Sequence, residues 1–81
     1  MTKEKLAELL DYLARSLVKH PEAVSIQSEE ANNIIRLTLK VAQDDMGRVI
    51  GKGGKTAKAI RSLVKTANSD RDKRVFVDIA E

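Results

Sequence analysis

An 81-residue chain with 42% hydrophobic and 33% charged residues belongs among ordinary folded domains, outside the low-hydrophobicity, high-charge corner where disorder lies, although a chain this short buries only about 60 to 65% of the surface it exposes unfolded. It has no cysteine, which excludes a disulfide framework or a thiolate metal site as the device holding it together. The net charge of +3 hides a concentration: Met46 to Ser69 carries six basic residues (Arg48, Lys52, Lys55, Lys58, Arg61, Lys65) and no acidic one, so that stretch stands at +6 and the rest at −3, a distribution that favours a polyanionic partner.

Thr2 is placed to cap a first helix, along which Leu6, Leu9, Leu10, Leu13, Leu17 and Val18 recur with a period of 3.6. Tyr12, beside this stripe, is expected at the core boundary. Lys19 suits the negative end of the helix, and Pro21 forces His20 out of helical geometry. Val24, Ile26 and Ser28 then alternate with Ser25 and Gln27 as a short strand with one buried face. Glu29 to Asn33 has no periodicity and ends in Asn-Asn, a turn signal. Ile35, Leu37, Leu39 and Val41 alternate with Ile34, Arg36, Thr38 and Lys40 as the strongest strand, so the two strands form an antiparallel hairpin.

Asp44 or Asp45 is expected to N-cap a short helix carrying Met46, Val49 and Ile50, which is interrupted by Gly51-Lys52-Gly53-Gly54. A longer helix follows from about Lys55 to Asn68. At 100° per residue Ala57, Ile60, Leu63, Val64 and Ala67 fall on a core arc, and Lys55, Lys58, Arg61 and Lys65 on the arc beside it. Lys65, farthest from the glycines, is read as a solvated residue. After the polar loop Asn68 to Lys73, Val75, Val77 and Ile79 make a last strand that runs to the end of the chain, with Phe76 alternating onto the open sheet face.

The order α-β-β-α-α-β places two helices between the second and third strands, and a right-handed crossover makes those strands parallel neighbours. The expected architecture is α+β, one domain over 1–81, with a mixed three-stranded sheet and three helices on one face. No apolar run exceeds three residues and the N-terminus lacks a signal-peptide core, so the expectation is a cytoplasmic chain without a membrane span.

A loop of Gly51-Lys52-Gly53-Gly54 lets backbone approach a ligand closely, and the amides opening the next helix favour a phosphate. Gly54-Lys55-Thr56 mimics the end of a P-loop, but the first glycine of that motif would fall on Val49. The dinucleotide fingerprint fails at Thr56. What fits is a G-x-x-G loop between two short helices, preceded by Val49-Ile50 and flanked by strands, and here the chain resembles a KH domain. A helix and strand precede the core motif and no residues remain for a further strand and helix, so the resemblance is to the type II arrangement. The run Gly47-Arg48-Val49-Ile50-Gly51-Lys52-Gly53-Gly54-Lys55-Thr56-Ala57-Lys58-Ala59-Ile60-Arg61 is similar to the small stand-alone bacterial members of that family.

The resemblance implies a single-stranded RNA partner of about four nucleotides, held with its backbone on Gly51, Lys52, Gly53 and Gly54. It places Ile50 at the floor of an apolar groove, Arg48, Lys55, Lys58 and Arg61 on phosphates, and the far wall on either 34–41 or 75–79. It further implies an RNA chaperone or post-transcriptional regulator linked to cell shape and cell-envelope homeostasis. Its protein partners would be a second copy, as a homodimer, or a larger KH-containing protein of the Jag (KhpB) type. Two other classes compete: a protein-interaction module in which the scaffold mainly dimerises, and a DNA reader, for which a six-residue first helix is poorly suited to a helix-turn-helix while single-stranded DNA stays open. With only Tyr12 and Phe76 aromatic, the stacking platforms of RRM and cold-shock domains are missing. His20 has no second histidine or cysteine beside it, and the paired acids Asp44-Asp45, Glu29-Glu30 and Asp70/Asp72 are read as capping and solubility residues. No metal, cofactor or enzymatic activity is expected.

Overall fold

The computed structural model describes residues 2–80. Helix α1 spans Lys3–Leu17, opened by the Thr2 hydroxyl, which accepts a hydrogen bond from the Lys5 amide at 3.2 Å. A 3-10 turn at Pro21–Ala23 leads into β1 (Ser25–Ala31), and β2 covers Ile34–Lys40. A second such turn, Gln43–Asp45, opens α2 (Met46–Ile50); the glycine loop follows, then α3 (Lys55–Ala67) and β3 (Arg74–Ala80). The sheet order is β1-β2-β3. The first pair is antiparallel, with Ala31 opposite Ile34, and the second parallel, with Ile35 beside Val75 and Leu37 beside Val77. The α+β, type II KH arrangement is therefore the observed one.

Period-two patterning in β2 decides which face the helices cover. Ile35, Leu37 and Leu39 are fully buried, whereas Ile34, Arg36 and Lys40 face outward. Onto the inner face pack Leu6, Leu10 and Ala14 of α1, Val49 of α2, Ile60 and Val64 of α3, and Val75 and Val77 of β3. Each large apolar side chain so buried contributes about 1.5 to 3 kcal/mol.

Three expectations change. Glu29, Glu30 and Ala31 belong to β1, because Asn32 and Asn33 take left-handed φ of 52° and 65° and form a two-residue hairpin turn. That tight turn forces Ala31 opposite Ile34 and puts Glu30 and Glu29 into the ladder beside Ile35 and Arg36. Glu30 also pairs with the Lys73 ammonium across the sheet end. On α1, the small Ala14 is the residue seated fully in the core; Leu17 lies in the last turn and is exposed, and Tyr12, pointing the opposite way from the Leu10–Ala14 edge, is 70% exposed. On α3, Leu63 sits at the rim of the apolar arc away from the lysines and is 53% exposed.

Candidate nucleic-acid interface

Helix α2 has only five residues, too short to be stable alone, so its neighbours must hold it. Asp45, at its N-terminus, makes no side-chain cap to α2. Its carboxylate turns instead to the chain leaving α1, accepting hydrogen bonds from the amides of Lys19 and His20, each at 3.0 Å, and it is 1% exposed. This corrects the expected capping role: the amides of Lys19 and His20, past the C-cap of α1, donate to the carboxylate in place of the amides of α2. Burial alone would raise this carboxyl's pKa, but the two backbone hydrogen bonds, and after them the electrostatic effect of His20 and of the Arg48 guanidinium, hold it below the ordinary carboxylate value.

At the other end of α2 the chain reverses through three glycines with left-handed φ: Gly51 at 77°, Gly53 at 65° and Gly54 at 79°. The turn is closed by Gly51 N donating to Gly47 O at 2.9 Å and Gly54 N donating to Gly51 O at 3.1 Å. A β-carbon at Gly53 or Gly54 would meet nothing within 4 Å, so both glycines front open space. Lys52 is exposed between Gly51 and Gly53, and α3 starts at Lys55 with Gly54 as a cap that has no side chain to occupy the first-turn amides. The loop thus offers bare backbone at the positive end of a 13-residue helix whose first turn carries no side-chain cap.

Lys55 and Lys58, three residues apart, share a face of the first turns of α3, and Lys52 stands exposed in the loop before them. None of the three forms an ion pair among the described residues. Arg61 extends the ridge and reaches β3, its Nε donating to the Val77 carbonyl at 3.0 Å. Arg48 points elsewhere: its Nε lies 3.6 Å from Asp45 Oδ1, toward the root of α2. Ile50, 37% exposed, sits beside the loop. Of the two possible far walls, β2 is flanked by strands on both sides, whereas β3 has a free edge that Arg61 bridges to α3. The seam along the cationic ridge is therefore bounded by β3.

A family model described as KhpA/KhpB, KH domain, matches residues 7–79. The chain belongs to the KhpA/KhpB KH-domain family. It is 45% identical over 76 residues to the RNA-binding protein KhpA of Listeria monocytogenes serovar 1/2a, covering 94% of this chain and all of that one. It is 46% identical over 74 residues to the RNA-binding protein KhpA of Caldanaerobacter subterraneus subsp. tengcongensis, covering 91% and 99%. Among solved structures it is similar to Era in complex with MgGDPNP and nucleotides 1506–1542 of 16S ribosomal RNA, with a TM-score of 0.67 at 19% identity. Aquifex aeolicus Era bound to GDP·AlF4− gives the same TM-score at 17% identity. The matches cover 91% and 93% of this chain but only 28% and 29% of the Era chains, and at that identity they speak to the fold alone.

Among the described residues no group of three or more His, Asp or Glu is placed to hold a metal ion, and no helix is long and apolar enough to cross a membrane. Asp45 is the site-shaping residue that sequence reasoning missed. Its partners lie 25 and 26 positions away, and only its position just before a helix too short to stand alone hinted at such a role.

Proposed function

We propose that this protein binds single-stranded RNA at the glycine loop. The observation that carries the reading is the conjunction at one place of three left-handed glycines, an uncapped helix start and three cations with no acidic partner among the described residues. Gly51 to Gly54 receive a phosphate on bare backbone, and Lys52, Lys55 and Lys58 neutralise that phosphate and its neighbours. Ile50 offers apolar floor to a base. Arg61 is fixed through Nε and keeps its terminal nitrogens for a phosphate in the seam, while Arg48, drawn to Asp45, contributes at longer range. The naming of the relatives as RNA-binding proteins supports RNA as the polyanion.

Action as an RNA chaperone or post-transcriptional regulator in the cytoplasm, linked to cell shape and envelope homeostasis, follows from the family resemblance. So does pairing with a second copy or with a larger KH protein of the Jag (KhpB) type. One observation favours the pairing independently: Tyr12, Leu13, Leu17, Ala59 and Leu63 line an open apolar cleft between α1 and α3, on the side of α3 away from the lysines. Exposed apolar surface of this kind marks contact sites.

The binding reading is tested by titrating the protein with a single-stranded RNA and with the duplex of the same sequence. The single strand binds more tightly, because the groove takes unstacked bases. Equal affinity for both would reduce the site to general attraction of charge.

A further inference from the structure

The cationic ridge of α3 continues past Arg61 to Lys65. Beyond it a cavity of about 290 Å³ opens where α3 ends and β3 begins, lined by Lys65, Asn68, Lys73, Arg74, Val75 and Phe76. The Arg61 bridge to Val77 separates this cavity from the glycine loop. At 1.5 Å per residue Lys65 stands about 15 Å along the helix from Lys55.

The lining offers two kinds of contact. Lys73 is paired with Glu30, but Lys65 and Arg74 form no ion pair among the described residues. Phe76 is 38% exposed and carries the Arg36 guanidinium over its ring at 5.6 Å from the centroid. The rim is ordered by Asn68, whose Nδ2 donates to Lys73 O at 3.0 Å and to Asp70 O at 3.4 Å. A simple anion would leave Phe76 unused, and an apolar ligand would leave two cations unanswered. A nucleotide uses both, its phosphate on Lys65 and Arg74 and its base against the ring.

We infer that this cavity is a second subsite for the same RNA strand, taking a nucleotide beyond those held at the glycine loop. The inference rests on the loop reading, and it reassigns Lys65 from solvated residue to ligand contact.

Fluorescence anisotropy with oligouridines of four and eight nucleotides tests it. Eight nucleotides offer five registers for a four-nucleotide footprint, so a loop site alone gains at most about fivefold from the longer strand. The wild-type protein is expected to gain about 30-fold or more, from one added phosphate contact and one stacked base. K65A/R74A removes two exposed cations without ion-pair partners among the described residues; it should bind the tetranucleotide within about twofold of wild type and lose most of the gain above the roughly fivefold register effect on the longer strand. F76L keeps the charges and the apolar volume, and should lose part of the gain. A wild-type gain of fivefold or less, or an undiminished gain in K65A/R74A, overturns the subsite. Undiminished tetranucleotide binding by a folded K52D/G53D variant would instead strike the loop reading itself, and the subsite with it.

Discussion

Thr56 occupies the space that a side chain on Gly51 would need: a β-carbon there would overlap Thr56 Oγ1 and stand 2.8 Å from its Cβ and from its backbone nitrogen. The loop's first glycine is thus demanded twice, by its φ of 77° and by the packing of the first turn of α3 against it. Gly54 has a nearly identical φ of 79°, but its ψ of 11° lies in the left-handed helical region and open space surrounds it, whereas the ψ of 172° at Gly51 belongs to a region that is essentially glycine's alone.

The two positions should therefore respond differently to alanine. G54A costs about 1 to 2 kcal/mol for the left-handed backbone alone. G51A adds an overlap with backbone that rotation of the Thr56 side chain does not relieve, and should melt at least about 5 °C below G54A, since 1 kcal/mol shifts a domain of this size by about 4 to 8 °C. Equal melting temperatures for the two variants would mean that φ alone accounts for the cost.

The Asp45 carboxylate ties the end of α1 to the start of α2, and its charge is favoured in the folded state. With its folded pKa below the unfolded value, its contribution is complete above about pH 4 and disappears as pH falls through the folded pKa. D45N, which loses one acceptor oxygen and the charge, should melt below wild type at pH 6, and the difference should narrow toward pH 3. A constant difference across that range would show that the charge plays no part.

Leu63 lies off the cationic arc of α3, so its role in pairing is separable from phosphate contact. L63E should abolish a concentration-dependent rise in sedimentation mass while leaving melting, compared at a concentration where the wild type is monomeric, within about 0.5 kcal/mol of wild type, as for other exposed positions. Persistent association in L63E would move the pairing face elsewhere.

Binding at the loop should also depend on salt. About three or four phosphates held by Lys52, Lys55, Lys58 and Arg61 predict a slope near −2 to −3 in log K against log salt, at about 0.7 per contact for single strands. A flat dependence would remove phosphate clamping from the account.

The elements whose cause is local were legible in the sequence. The alternation in β2, the Leu6–Leu10 stripe with its Thr2 cap, and the glycine loop each declare themselves within a few residues. What was not legible depends on distant partners. Glu29 to Ala31 join β1 only because the Asn32-Asn33 turn locks them against β2, and no period in those three residues says so. Tyr12 and Leu63 read as core or near-core because a helical arc shows which residues share a face but not how far the neighbouring helix covers it. Asp45 had the composition of a cap, and its real acceptor role depends on where the chain after Leu17 comes to lie. The choice of β3 as the wall of the seam likewise required the strand order.

The most direct test of the RNA site is the K52D/G53D double variant. It places two negative charges where the phosphate should sit and adds side chains where bare backbone should touch it. Gly53 has a φ of 65° with nothing within 4 Å of an added β-carbon, so the fold should lose only about 1 to 2 kcal/mol, and circular dichroism should show the variant folded. Its affinity for single-stranded RNA should fall at least about tenfold, a difference of about 1.4 kcal/mol; a folded variant that binds with wild-type affinity would contradict the assignment of the glycine loop as the RNA site.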